Sequence, residues 1–124
     1  MKIRKNIQGK LNGRCHLNSL KLHKQKGYDI YVGFCCADLR NRFGYYSYFP
    51  HFWNVSDNEI IDNSLGSKED LLYIGKKIIG FNNSNKMFDV LLKPLYKDIS
   101  IEDDFNKFIN YCKSKGFKIL NRNS

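Results

Sequence analysis

The segment of residues 45–62 constrains the fold of this chain more than any other feature. Residues 45–55 are rich in aromatic and β-branched side chains, which favour strands, and Pro50 within them predicts an edge or a bulge. Residues 56–58 have the Ser-Asp-Asn chemistry of a turn, and residues 59–62 resume an extended pattern. We therefore predict a β-hairpin.

The length of the turn decides which side chains of this hairpin meet. If Asp57 and Asn58 form a two-residue loop, Trp53 faces Asp62, and His51 is a diagonal neighbour of Asp62 on the same face. Diagonal neighbours have backbones roughly 7–8 Å apart, so longer side chains on them can touch. An odd-length loop would separate His51 from Asp62, because it would place them on opposite faces.

Elements preceding the hairpin are predicted from composition and periodicity. Residues 15–26 contain neither Gly nor Pro and are followed by Gly27, which indicates a helix with glycine at its C′ position. Residues 28–36 alternate between two faces and contain many aromatic and β-branched types, as in a strand. Residues 37–44 are polar and end in glycine, which predicts a loop.

The second half of the chain ends in a clear helix over residues 100–115, with Ser100 as its N-cap and Cys112 among its core residues. Residues 67–70 resemble a helix start, and residues 87–92 predict a strand. Strand formers surround a glycine in residues 71–81, so their state stays open between helix and strand.

These elements predict an α+β fold. The N-terminal helix, which carries Cys15, packs on a small antiparallel sheet, and the C-terminal helix covers that sheet. The 124 residues are 42% hydrophobic and 15% aromatic, which suffices for the core of one domain. We expect a single domain over residues 1–124, with residues 1–10 as a basic arm.

The charge balance points to anionic partners without identifying them. The chain has 21 Lys and Arg against 12 Asp and Glu, a net charge of +9. Such a field attracts nucleic acid, acidic protein surfaces or anionic polymers. A codon bias toward Lys and Asn explains the same excess equally well, so the partner stays open.

The expected location is the cytoplasm, away from membranes. No apolar run approaches the roughly 20 residues of a membrane span, and residues 1–10 lack the apolar core of a signal peptide. In a reducing compartment the cysteines are free thiols. They are Cys15, Cys35, Cys36 and Cys112.

Cys15, His51 and Asp62 have the strongest potential for chemistry. A cysteine is a nucleophile only as its thiolate, and a helix N-terminus, where Cys15 is predicted, favours that form. A neighbouring imidazole takes the thiol proton, and a carboxylate fixes the tautomer and orientation of the imidazole. Each residue alone is more often ordinary packing, and the combination raises the expectation of catalysis.

The order of these residues resembles that of transglutaminase-like and wider papain-like cysteine enzymes, over residues 13–63. The residues HFWNV at 51–55, followed by IID at 60–62, are similar to the His-x-Trp-x-Val and Val-Asp pattern of transglutaminase-like domains. The chain is shorter than typical papain-like proteases and nearer in size to NlpC/P60-like domains.

The resemblance implies a papain-like core and an enzyme in which Cys15 accepts the acyl group. His51 then acts as base and acid, and Asp62 orients it. The implied reaction is hydrolysis of a peptide, isopeptide or amide, deamidation or transamidation, on a protein, peptide or amide substrate that the net charge suggests is acidic. No cofactor is expected. His16 departs from the family, where an aromatic or small residue commonly follows the nucleophile.

Further candidates surround the nucleophile. The backbone N–H of Cys15 is one donor for an oxyanion hole, and Gln8 is a second candidate that is otherwise an ordinary solvated residue. His16 and Asn18 either line the substrate cleft or form the surface of the first helical turn. Trp53 shares a face with His51 and is a further candidate for lining the site.

Three alternatives accompany the enzyme. Zinc is disfavoured because the Cys and His residues lack the usual C-x₂-C and H-x₃₋₅-H spacings, so we expect no metal. The aromatic residues near Arg40 and Arg42 form either a sheet core or a stacking platform for single-stranded nucleic acid. The same fold would also suit a non-catalytic interaction or inhibitor protein.

Overall fold

A computed structural model describes residues 1–4, 15–62, 71–78 and 105–121. Within these residues the chain is α+β, as the sequence predicts. The helices are α1 (Cys15–Lys26), α2 (Arg40–Phe43) and α3 (Phe105–Ser114). The strands are β1 (Lys2–Arg4), β2 (Asp29–Leu39), β3 (Tyr45–Ser56), β4 (Glu59–Ile61), β5 (Leu72–Ile78) and β6 (Lys118–Ile119).

The strands form one sheet in the order β1-β4-β3-β2-β5-β6, in which β1 and β4 are parallel and the other neighbours are antiparallel. The sheet is curled so that its edges meet, where the Met1 ammonium group beside β1 donates a 2.8 Å hydrogen bond to the Leu120 carbonyl after β6. Residues 2–4 of the expected basic arm form β1 at the edge of the sheet. Residues 5–10 of that arm lie outside the described residues.

The β3–β4 hairpin confirms the predicted two-residue turn. Asp57 and Asn58 have φ angles of 52° and 59°, which are the left-handed values of a type I′ turn. Asp and Asn are short polar residues that tolerate such φ angles. Ser56 pairs with Glu59 and Asn54 with Ile61, so the register continues toward Trp53 and Asp62 as predicted.

Strands β2 and β3 form a longer ladder than the sequence indicates. The predicted loop at residues 37–44 is wrong, because β2 continues to Leu39 and the short helix α2 follows. The pairing depends on backbone groups, so the polar side chains of this segment do not prevent it. The register runs unbroken past Pro50, which pairs with Phe34, so there is no bulge there. Residues 72–78, left open above, form a strand.

The remaining predicted elements fall partly or wholly outside the described residues. These are the helix start at residues 67–70, the strand at residues 87–92, and the N-cap region of the last helix before Phe105. The helix itself is present as α3, and Cys112 is fully buried in it, as expected. No helix in the described part of the chain is long and apolar enough to cross a membrane.

One face of the sheet packs against α1 and α3. Its buried residues are Leu20, Ile30, Val32, Phe34, Cys36, Phe52, Ile74, Phe108, Ile109, Cys112 and Phe117. Aromatic rings attach α3 to β3, with Tyr46 stacked on Phe105 at 4.6 Å and Tyr48 on Phe108 at 3.9 Å between ring centroids. These tyrosines, which the sequence also offers for base stacking, contribute here to the packing of α3.

The opposite face lies inside the curl of the sheet. Its buried residues are Cys35, Trp53, Val55, Ile60, Leu71, Tyr73 and Leu120. Glycines make room for the largest of them. A Cβ atom on Gly75 would lie 2.6 Å from the Trp53 ring and 2.5 Å from the Val32 carbonyl oxygen. Only a residue without a side chain therefore allows the indole on β3 to reach β5.

We expect Gly75→Ala to lower the free energy of unfolding by about 1–3 kcal/mol, since the added methyl group overlaps both the indole and the backbone of β2. Urea denaturation monitored by Trp53 fluorescence measures the change. Lys118→Ala is the matched control, because Lys118 pairs with Gly75 but its side chain is exposed. Equal losses for the two variants would contradict the packing argument.

Candidate functional site

A buried histidine and aspartate form the centre of the candidate site. His51 lies on β3, and Asp62 follows directly after β4, across the two-residue turn. His51 Nε2 and Asp62 Oδ2 are 2.8 Å apart, and the residues are 3% and 1% exposed. Because an ionised carboxylate only accepts hydrogen bonds, His51 Nε2 carries the proton and Nδ1 is the nitrogen left for another partner.

Tyr73 on β5 also binds the carboxylate. Its hydroxyl donates a 2.6 Å hydrogen bond to Asp62 Oδ2, the oxygen that His51 binds. Tyr73 is fully buried, and burial together with the negative charge of Asp62 raises its pKa, so the hydroxyl stays a donor. Two donors thus hold one carboxylate oxygen in place, as a buried charge requires.

Aromatic rings fix the position of the imidazole. Trp53 stacks on His51 with ring centroids 6.1 Å apart and planes 23° apart, and Phe49 meets His51 edge-on at 6.0 Å. Trp53 in turn packs edge-on against Tyr73 at 5.1 Å. The histidine ring therefore has neighbours on its own strand that limit its rotation.

Hydrogen bonds from β3 position the helix that carries Cys15. The Asn54 side chain donates to the Ser19 carbonyl at 3.0 Å and to the Asp29 carbonyl at 3.3 Å. The Ser19 hydroxyl donates to the Trp53 carbonyl at 3.5 Å. These bonds hold α1 against β3, so that the partly buried Cys15, the first residue of α1, lies near enough to His51 to affect its pKa.

The surroundings of His51 favour its charged form. Burial disfavours the imidazolium, but hydrogen bonds and charge interactions with Asp62 and Cys15 outweigh burial and raise the pKa of His51 to about 9. At neutral pH His51 is therefore an imidazolium, held between the carboxylate of Asp62 and the side chain of Cys15.

A second thiol, that of Cys35 on β2, lies at the same place. Its sulfur, a His51 ring nitrogen and an Asp62 carboxylate oxygen all lie within 4.8 Å of one another. Burial, followed by the nearby charges of Asp62 and Cys15, raises the pKa of Cys35 well above its ordinary value. Cys35 is therefore a protonated, fully buried thiol, whereas Cys15 is partly accessible.

Cys35 and Tyr73 are site residues that the sequence did not reveal. They pair with each other across β2 and β5, and Gly33, the paired residue of His51, is two residues before Cys35. The alternation of residues 28–36 contains one usable signal, since it places Cys35 on the face opposite Phe34. The pairing of β2 with β3 brings Cys35 close to His51. It joins segments that are far apart in the chain, so no local sequence pattern predicts it.

The other predicted site residues have mixed placements. Asn18 and Trp53 are both buried, with 7% and 1% of their surface exposed. Gln8 and the side chain of His16 lie outside what the structure describes.

The two remaining cysteines lie on the other face of the sheet. Burial raises the pKa of Cys36 and of Cys112 to about 12, in each case with a smaller contribution from a nearby charge.

The fold and the site define an α+β protein with a buried cluster of cysteine, histidine and aspartate. No family model, no curated protein and no solved structure matches this chain.

The raised pKa of His51 predicts a pH dependence of stability. A group whose pKa rises on folding contributes stability below its unfolded pKa, about 6.5, and loses it as pH rises through the folded value. We expect the free energy of unfolding to fall by on the order of 3 kcal/mol between about pH 6.5 and 9. Urea titrations of wild type and His51→Gln test this, and a wild-type decline no steeper than that of the variant would contradict it.

Tyr73→Phe removes one donor from the buried carboxylate of Asp62. We expect a loss of about 1–3 kcal/mol in the free energy of unfolding, because a buried charge then keeps one hydrogen bond fewer. Tyr31→Phe, a half-buried tyrosine on the same sheet face, is the control. If both variants are equally stable, the Tyr73 hydroxyl does not hold Asp62.

Proposed function

We propose that this protein catalyses thiol-dependent acyl transfer with Cys15 as nucleophile, His51 as acid and base, and Asp62 as the orienting carboxylate. One observation carries the proposal. A buried imidazole is bound through Nε2 to Asp62 at 2.8 Å and interacts with a cysteine at a helix N-terminus. The three roles of a cysteine triad are thus available from three different elements in one place.

Accessibility selects Cys15 over Cys35 as the nucleophile. A substrate carbonyl must approach the sulfur, and Cys35 is fully buried while Cys15 is partly exposed. The positive end of the helix dipole also lies at the first residues of α1, and it stabilises a thiolate there. Cys35 lacks both access and a helix end.

The first half of the reaction forms a thioester. The Cys15 thiolate attacks the carbonyl carbon of a peptide, isopeptide or side-chain amide, and the carbonyl oxygen becomes negative. The backbone N–H of Cys15 is a donor available to that oxygen. The carbon–nitrogen bond then breaks, and the His51 imidazolium gives its proton to the departing amine.

The second half releases the acyl group. Neutral His51 takes a proton from water or from an acceptor amine, which attacks the thioester carbonyl, and Cys15 leaves as thiolate. Water gives hydrolysis or deamidation, and an amine gives transamidation. Throughout, Asp62 stabilises the imidazolium and keeps Nε2 protonated, so that the other ring nitrogen serves the thiol.

Charge favours an acidic protein or peptide as substrate. After Cys15 in the chain, the exposed surface of α1 presents Lys21 and Lys24 beside Leu17, which is 38% exposed, and these residues line a shallow, open groove. Together with the net charge of +9, this surface attracts anionic chains toward the helix that carries the nucleophile.

The test is the reactivity of Cys15 toward iodoacetamide near neutral pH, followed by mass spectrometry of each cysteine peptide in the native protein. We expect Cys15 to react at least about tenfold faster than the buried Cys112, because Cys15 is partly accessible and lies beside the His51 imidazolium. His51→Gln should remove most of that advantage. Tyr31→Phe is the matched control and should preserve it.

Equal alkylation of all thiols, or rapid alkylation of Cys15 that persists in His51→Gln, would contradict the proposal. If Cys15 is alkylated rapidly, a library of thioester and amide substrates is tested next. Cys15→Ser must then abolish turnover of any substrate that the wild type converts. If partner binding is intact in both wild type and Cys15→Ser while no substrate turns over, the protein is a binding module on this fold.

A further inference from the structure

The buried thiol of Cys35 takes no part in the acyl transfer, yet it lies against the His51–Asp62 pair. Its sulfur, a His51 ring nitrogen and an Asp62 oxygen lie within 4.8 Å of one another. All three residues are at most 3% exposed. Thiol, imidazole and carboxylate are the side chains that bind zinc in proteins, and here they converge from β2, β3 and the end of β4.

The spacing of these atoms suits one small cation. Zinc bonds of about 2.0–2.3 Å in tetrahedral geometry separate neighbouring ligand atoms by roughly 3.3–3.8 Å. The present separations bracket that range, from 2.8 Å between His51 and Asp62 up to the 4.8 Å limit of the cluster. The three atoms are therefore close enough together for one cation to contact all of them.

Two neighbours complete the site. Cys15, at the start of α1, lies near enough to affect the pKa of both His51 and Cys35, which makes its sulfur the candidate for a fourth ligand. Tyr73 already donates to Asp62 Oδ2 at 2.6 Å and holds the carboxylate from outside, as partners of metal ligands commonly do.

We infer that Cys35, His51 and Asp62 form a binding site for a thiophilic divalent cation of the Zn²⁺ kind, with Cys15 as the fourth ligand. On binding, each coordinating thiol and the imidazolium lose a proton to solvent, two metal–sulfur bonds form, and no oxidation occurs. The cation replaces the hydrogen bond between His51 and Asp62.

Metal binding and acyl transfer then exclude each other, because both require the Cys15 sulfur and His51. The cation is thus a reversible inhibitor of the site. This consequence rests on the proposed function, whereas the binding itself does not.

The experiment titrates the full chain with Co²⁺, whose visible absorption reports tetrahedral thiolate coordination, and then displaces it with Zn²⁺. We expect one equivalent to bind in wild type. Cys35→Ser should weaken Zn²⁺ affinity by at least about 100-fold, since a direct ligand matters at least as much as its outer partners. Cys112→Ser, a buried cysteine on the opposite sheet face, should bind like wild type.

X-ray absorption of the Zn²⁺-loaded wild-type chain gives a second readout that needs no variant. We expect sulfur neighbours at about 2.3 Å. Only oxygen and nitrogen neighbours, or equal Zn²⁺ affinity in wild type and Cys35→Ser, would overturn the inference.

Alkylation of Cys15 with and without Zn²⁺ separates the two proposals. In wild type, Zn²⁺ should slow the alkylation of Cys15. In Cys35→Ser, the rate of Cys15 alkylation should be the same with and without Zn²⁺. If thiolate coordination is found but Cys15 has no His51-dependent reactivity without metal, only the proposed function fails. If that reactivity is found and Co²⁺ gives no thiolate bands, only the metal site fails.

Discussion

The hydrogen bond between His51 and Asp62 is the interaction on which the inner face of the sheet depends. A carboxylate and an imidazole taken out of water destabilise the fold unless each finds a partner. Here the pair satisfies itself at 2.8 Å, and Tyr73 supplies a further donor at 2.6 Å. The surrounding features serve this arrangement: the turn sets the register, Gly75 admits Trp53, and Trp53 packs on the imidazole.

One imidazole with two thiols nearby is the basis of both the proposed acyl transfer and the proposed cation site. Cys15 is at a helix end and partly accessible, which suits attack on a carbonyl. Cys35 is on a central strand and fully buried, which keeps it protonated and out of reach of a substrate. A small cation can reach a buried thiol that a protein or peptide substrate cannot reach. Cys35 is therefore suited to coordination, although it is unsuited to catalysis.

Much of the site was predictable where the determinants are local. A two-residue turn and a side-chain period of two place His51 and Asp62 on one face, and the structure has that register. Local polarity was misleading at residues 37–44, where β2 continues because ladder pairing uses backbone groups. Residues 72–78, undecided by pattern, became a strand by pairing with β2 on one side and β6 on the other.

The sequence by itself indicated the hairpin, the helix at Cys15 and, on the condition of a two-residue turn, the His51–Asp62 pair, since each depends on residues close together in the chain. The tertiary structure alone decided that Cys35 and Tyr73 join them, and that Asn54 ties α1 to β3 beside His51. These contacts follow from the β2–β3 and β2–β5 registers and from helix docking. These registers and the docking of α1 form when segments far apart in the chain bury the same face of the sheet. No short stretch of sequence therefore specifies which residues meet.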